Sequence, residues 1–116
     1  MDDLKKRFGR LVAVHRRRKG LTQEGLAEAA GISIDMISKI EIGATGARFP
    51  SIERLAGALQ VDPAELFSPN IPSGALQRGE YLALSIKLAE LSPADLQWVA
   101  GIVSAALQSR GASSKP

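Results

Sequence analysis

The chain has 116 residues, no cysteine, 45% apolar and 4% aromatic residues, and a formal net charge of +3. That length holds one small domain, or one domain with an appendage, with a modest core built mainly from Leu, Ile, Val and Ala. The lack of cysteine excludes disulfides, thiolate metal sites and a cysteine nucleophile. No apolar run is long enough to span a bilayer, and Met1-Asp2-Asp3 does not open a signal peptide, so a cytoplasmic protein without membrane contact is expected.

Charge is unevenly placed. Residues 1–20 carry eight Lys or Arg against two Asp, whereas residues 21–67 carry three basic groups against seven acidic ones. Residues 68–116 are close to balanced. The basic density sits in the first helix, which favours phosphate contact there and speaks against a broad basic surface elsewhere.

Residues 2–19 read as a helix, with Leu4, Phe8, Leu11, Val12 and His15 on one side. Asp2 and Asp3 suit the positive end of its dipole, and Arg16-Arg17-Arg18-Lys19 suit the negative end. Gly20 ends it. The basic run reads either as a favourable charge cluster on a solvated face or as a phosphate contact. His15 is the only histidine in the chain; with no second ligand nearby it is expected to pack in the helix face, and no metal is expected.

Residues 22–41, TQEGLAEAAGISIDMISKIE, read as two short helices around a tight turn. Thr22 is an N-cap candidate. Leu26 and Ala30 share a face, and Ala27 is small enough for a second helix to cross close by. Gly31 stands where the first helix must stop, because glycine adopts the left-handed conformation without a steric penalty. Ile32 is a buried plug, Ser33 caps the next helix, and Ile37 and Ile40 point inward. Two short helices joined this way form a helix-turn-helix, whose second helix enters a DNA major groove. Gly25, inside the first of them, costs about 1 kcal/mol relative to alanine and suggests a close approach.

Residues 42–50 contain two glycines and a proline and read as a loop, with Phe49 anchoring it to the core. Ser51 is expected to cap a fourth helix through about Leu59, with Ile52, Leu55, Ala56 and Leu59 inward. Asp62-Pro63-Ala64-Glu65 is a further start signal for a short fifth helix ending near Phe67. Residues 68–74 read as a linker. Helical spacing resumes over 75–91, with Leu84, Leu88 and Leu91 on a stripe, and over 93–109. There Leu96, Val99, Val103 and Leu107 lie on one face, and Trp98 and Ile102 on another. A helical hairpin over 75–110 cannot bury two apolar faces by itself. A second copy is the favoured cover, an intramolecular lid over the first five helices the alternative, and residues 111–116 are expected to be a disordered tail.

The run from Leu21-Thr22-Gln23 through Leu26-Ala27, Gly31, Ser33, Ile37 and Ile40-Glu41 to Gly43 resembles the Cro and phage-repressor helix-turn-helix, also called the xenobiotic-response-element type. The resemblance extends over about residues 8–67. It implies an all-α, five-helix lambda-repressor-like domain over 1–67, followed by the hairpin. It also implies an ion pair between Arg16 and Glu41 that ties the first helix to the third and leaves Arg17 and Arg18 for phosphate. In the second motif helix Ile34, Asp35 and Ser38 would face base edges, with Ser33 and Lys39 nearer phosphate. Thr22 and Gln23 would meet a phosphate at the start of the first motif helix, and Thr45 and Arg48 would follow the sugar–phosphate backbone in the loop. Relatives often carry Gln or Arg where Ile34 and Asp35 stand. Asp35 therefore either accepts from cytosine N4 or only stabilises the start of its own helix.

The expected function is a sequence-specific transcription regulator, a repressor binding double-stranded DNA as a homodimer, with no cofactor. The alternative is an antitoxin-like interaction module whose residues 75–109 hold a different protein. An enzyme is not expected, since no nucleophile–histidine pair, phosphate-cradling glycine loop or metal cluster is present.

Overall fold

The computed structural model describes residues 3–114, and all regular structure among them is helical. The elements are α1 (Leu4–Arg18), α2 (Gln23–Ala30), α3 (Ile34–Glu41) and α4 (Phe49–Leu59), a 3-10 turn at Pro63–Leu66 and another at Ala75–Gln77, then α5 (Gly79–Ala89) and α6 (Pro93–Ser114). They fall into two compact units, the first ending at Arg78 and the second beginning at Gly79.

Local chemistry explains most helix ends of the first unit. Asp3 caps α1 by accepting from Lys5 N at 3.0 Å; Asp2 lies outside the described residues. Thr22 caps α2 through its hydroxyl, 2.9 Å from Gly25 N, and Ser33 caps α3, 3.1 Å from Met36 N. Between them Gly31 takes φ 68°, left-handed, and closes α2 onto Ala27 and Glu28 carbonyls. Asp62 and Glu65 form the expected capping box, opening only a single 3-10 turn.

The start of α4 differs from the sequence expectation. Ser51 is not its cap; the helix begins three residues earlier than that cap would place it, at Phe49, with Arg48 as a cap that lends no side chain. Pro50 is the reason, because its fixed φ suits the first helical turn. Phe49 consequently stands at the helix tip, 82% exposed, and does not anchor the loop. Ala47 packs against the core instead. Leu4 is also exposed, at the open end of α1, whereas Phe8, Leu11, Val12 and His15 are buried as expected.

The core gathers Phe8 and Val12 from α1, Leu26, Ala27 and Ala30 from α2, Ile37 and Ile40 from α3, and Ile52, Leu55 and Leu59 from α4, closed by Val61 and Leu66. Phe67 stacks on Phe8 with ring centroids 5.0 Å apart. Burying a Leu or Ile side chain contributes about 1.5–3 kcal/mol, and helices of eight residues, such as α2 and α3, are too short to persist without that packing.

The tightest crossing lies between α1 and α3. A Cβ added at Gly9 would sit 1.9 Å from the Ile40 carbonyl oxygen. Next to it Gly43, at φ 76°, lies against Lys6, where a Cβ would come within 2.7 Å of Cγ. These two glycines let the end of α3 lie directly on the α1 backbone.

The stretch expected to be a linker belongs to the first unit. Glu65, fully buried, accepts from Asp62 N at 3.1 Å and from Gly74 N at 3.0 Å, and Ala75 is buried. One carboxylate thus clips residues 68–75 back onto the domain, which composition could not reveal.

In the second unit, Ser92 caps α6 by accepting from Asp95 N at 3.2 Å. α6 runs on through Ser114, so residues 111–114 are helical where a disordered tail was expected, and 115–116 lie outside the described residues. No residue of α5, and none of α6 up to residue 111, is buried. No helix among the described residues is long and apolar enough to cross a membrane.

Candidate nucleic-acid interface

Three helices meet at Glu41. Arg16 grips its carboxylate with both arms of the guanidinium, Nε to Oε2 at 2.7 Å and Nη2 to Oε1 at 3.1 Å. Arg16 also donates to the Leu21 carbonyl at 2.8 Å, and Gln23 Nε2 donates to Glu41 Oε1 at 3.0 Å. The ion pair is nearly closed to solvent, with the two side chains 11% and 5% exposed. Hydrogen bonding to Glu41 raises the Arg16 pKa above its ordinary value, burial works against that rise, and the Coulomb attraction of Glu41 adds to it. A buried, bidentate pair with its remaining groups satisfied is a geometric clamp. Here it fixes the end of α1, the start of α2 and the end of α3 relative to one another. The Gln23 amide assigned to phosphate by resemblance is one of the clamp's members.

The clamp holds α3 with its inner residues Ile37 and Ile40 fully buried and its outer ones in solvent. Ile34 is 50% exposed, Ser33, Asp35 and Lys39 are exposed, and Ser38 is half-buried. Lys39 Nζ lies 3.0 Å from Asp35 Oδ2 one turn away, so its ammonium reaches along α3. Ser33 and Thr22 spend a hydroxyl lone pair on their caps and keep an O–H to donate. Beyond α3, Thr45 and Arg48 line a hollow of about 480 Å³ with Met36, Ile40 and Ser51.

Several assigned residues are therefore gathered around α3: Ser33, Ile34, Asp35, Ser38 and Lys39 on it, Thr22 and Gln23 at the neighbouring helix start, and Thr45 and Arg48 across the hollow. Arg17 is exposed near the clamp. Arg18 is elsewhere. It borders hollows formed with His15, Leu59 and Gln60 and with Ser68 and Pro69. Two residues of helix turn a side chain by about 200°, so Arg16 facing α3 sends Arg18 to the opposite side. Lys19 there donates to the Gln60 amide oxygen.

Two residues that matter escaped the sequence reading. Met36, 40% exposed, stands on α3 beside the hollow. Gly9 sets the α1–α3 distance. It lies seven residues before Arg16, on the same helical stripe, so the implied Arg16–Glu41 pair would have pointed to it. Gly25 gains an account as well: a Cβ there would press to 3.3 Å on the Thr22 hydroxyl oxygen of its own cap.

A short exposed helix, held at a fixed angle by a tight turn and a buried clamp, defines a DNA-binding protein of the Cro and phage-repressor helix-turn-helix type. Residues 7–67, just over half the chain, match the model of the helix-turn-helix domain family, and the chain belongs to that family. It is 40% identical over 65 residues to an uncharacterized HTH-type transcriptional regulator, YazB, of Bacillus subtilis, covering 53% of this chain and 90% of that protein. Among solved structures it is similar to the restriction-modification controller protein C.AhdI from Aeromonas hydrophila, at 35% identity and TM-score 0.52, over 53% of this chain and 94% of that one. It is also similar to the clp gene regulator ClgR from C. glutamicum, at 26% identity and TM-score 0.54, over 57% and 86% of the two chains. The family match stops at residue 67, before α5 and α6 begin.

Proposed function

We propose that the protein is a transcriptional repressor that binds a two-fold related operator as a homodimer, with α3 in the major groove of each half-site. The observation that carries this is the solvent-exposed face of α3, from Ser33 to Lys39, on a helix locked from behind by Arg16, Gln23 and Glu41. Pre-ordering of that helix means little conformational entropy is lost on binding. A repressor needs only occupancy of its site, and this compact module supplies that. Relatives that are regulators by name support the regulatory part of this reading.

The homodimer rests on the second unit. Leu84, Leu88 and Leu91 of α5 and its turn, with Leu96, Trp98, Val99, Ile102, Val103 and Leu107 of α6, form the dimerisation surface of this reading. Trp98 is 69% exposed, Leu107 64% and Leu84 54%. Such a concentration of exposed apolar side chains on consecutive helices marks an association surface, and symmetric pairing matches a two-fold related site. A different protein bound through residues 75–109 is the second reading, favoured by the same exposed side chains.

Fluorescence anisotropy with a duplex obtained by selection, over a salt series, tests the DNA reading. Each phosphate neutralised steepens the fall of log affinity with log salt by about 0.9; a slope near zero would overturn it. Light scattering on the purified chain tests the dimer: a two-chain mass supports it, and a monomer that captures only another protein overturns it.

A further inference from the structure

We infer that Asp35 and Lys39 act as one unit that reads a single G·C base pair, the carboxylate accepting from cytosine N4 and the ammonium donating to guanine O6 and N7. The inference rests on the DNA-binding reading above and names the base pair that α3 selects and the two side chains that select it.

The starting observation is the ion pair at 3.0 Å between Lys39 Nζ and Asp35 Oδ2, with side chains 55% and 75% exposed. Exposed pairs of this spacing add little to helix stability. On a helix that meets a phosphate polyanion, however, a lone carboxylate is repelled. Lys39 neutralises it and lets α3 approach the groove. The resemblance implied a Lys39 nearer phosphate; without DNA its ammonium lies beside Asp35, one turn back on the same face of α3.

The spacing matches one base-pair edge. In the major groove a G·C pair presents the acceptors N7 and O6 beside the N4–H donor of cytosine. O6 and N4 are hydrogen-bonded to each other and so lie about 2.9 Å apart. The protein pair offers a donor and an acceptor at nearly the same separation. Laid edge to edge, the ammonium covers O6 and N7 and the carboxylate covers N4–H, so every donor faces an acceptor. An A·T pair places its N6 donor between two separated acceptors, with the thymine methyl beside O4. The ammonium then meets one acceptor instead of two adjacent ones. G·C is the better complement.

Selection from random duplex DNA with the full-length chain tests this, comparing wild type with Asp35→Ala, Asp35→Asn and Lys39→Ala. All three changes are at exposed positions, and thermal melting checks that each variant folds. Wild type is expected to select a G·C pair at a fixed position in each half-site. Lys39→Ala and Asp35→Ala should each lower that preference about tenfold, and Asp35→Asn should move it toward A·T, since an amide pairs with adenine N6 and N7. N4-methylcytosine at that pair should weaken wild type about tenfold and leave Asp35→Ala unaffected. An unchanged selected sequence in all variants, a wild-type site without the G·C pair, or wild-type tolerance of the methyl group would each overturn the inference while leaving the DNA-binding reading intact. If wild type selected no sequence at all, that reading would fall, and the inference with it.

Discussion

Replacing Gly9 by alanine tests the close crossing that sets the angle of α3. The added Cβ would lie 1.9 Å from the Ile40 carbonyl oxygen and 3.0 Å from its carbon. Carbon and oxygen in contact sit about 3.3 Å apart, so the backbone of α1 or α3 must retreat by roughly 1.4 Å. The obstacle is main chain, which cannot swing aside as a side chain can. Overpacking of this kind costs about 1–3 kcal/mol, and the helix-propensity gain of alanine over glycine returns about 1 kcal/mol. A net loss near the upper end, about 2 kcal/mol, corresponds to a melting-temperature drop of roughly 8–16 °C for a domain of this size. Gly57 in α4 is the control, because a Cβ there meets nothing within 4 Å. Gly57→Ala should stabilise by about 0.5–1 kcal/mol. Calorimetry of the two variants beside wild type gives both signs. A Gly9→Ala protein as stable as Gly57→Ala would refute the crossing argument. DNA affinity of Gly9→Ala, measured well below its melting point, should fall as α3 is displaced.

Four further outcomes follow from particular contacts. Glu41→Ala leaves the Arg16 guanidinium nearly buried without its partner and should cost about 3 kcal/mol in chemical denaturation. The Arg16 pKa is raised in the folded state, so its contribution is fully present below the ordinary arginine value and is lost only as pH climbs through the raised one; the stability difference between wild type and Arg16→Met should therefore stay constant from pH 7 to 10. Glu65→Ala removes two charge-assisted hydrogen bonds and should cost about 2 kcal/mol, with faster hydrogen exchange at the Gly74 amide than in wild type. Trp98→Glu places a charge on the proposed dimer surface and should weaken self-association at least tenfold in analytical ultracentrifugation, with the melting of the first unit unchanged.

Features governed by neighbours in sequence were legible without coordinates. Thr22, Ser33 and Asp62 cap because a hydroxyl or carboxylate preceding a helical run meets free amides two or three residues on. Gly31 ends α2 because the turn demands a positive φ. The clamp of Arg16 and Glu41 spans 25 residues and was legible only through resemblance to a family. Features set by tertiary context were not legible. The helical period that put Leu4 on the inner face of α1, and the apolar character that made Phe49 a loop anchor, could not tell that each would stand at an open helix end. Gly9 reads as a weak helix residue until the Ile40 carbonyl is seen against it. Residues 68–74 have a linker's composition, yet a carboxylate buried nine residues upstream of Gly74 holds them in place. Arg17 and Arg18 look equivalent in a basic run, while helix geometry separates their directions.

Amide chemical-shift mapping of the full chain with a selected duplex shows whether α3 is the element that meets DNA. The largest shifts and broadening should fall on residues 33–39, with smaller ones at 22–23 and 45–48. Shifts confined to residues 79–114, with α3 unmoved at saturation, would contradict that expectation.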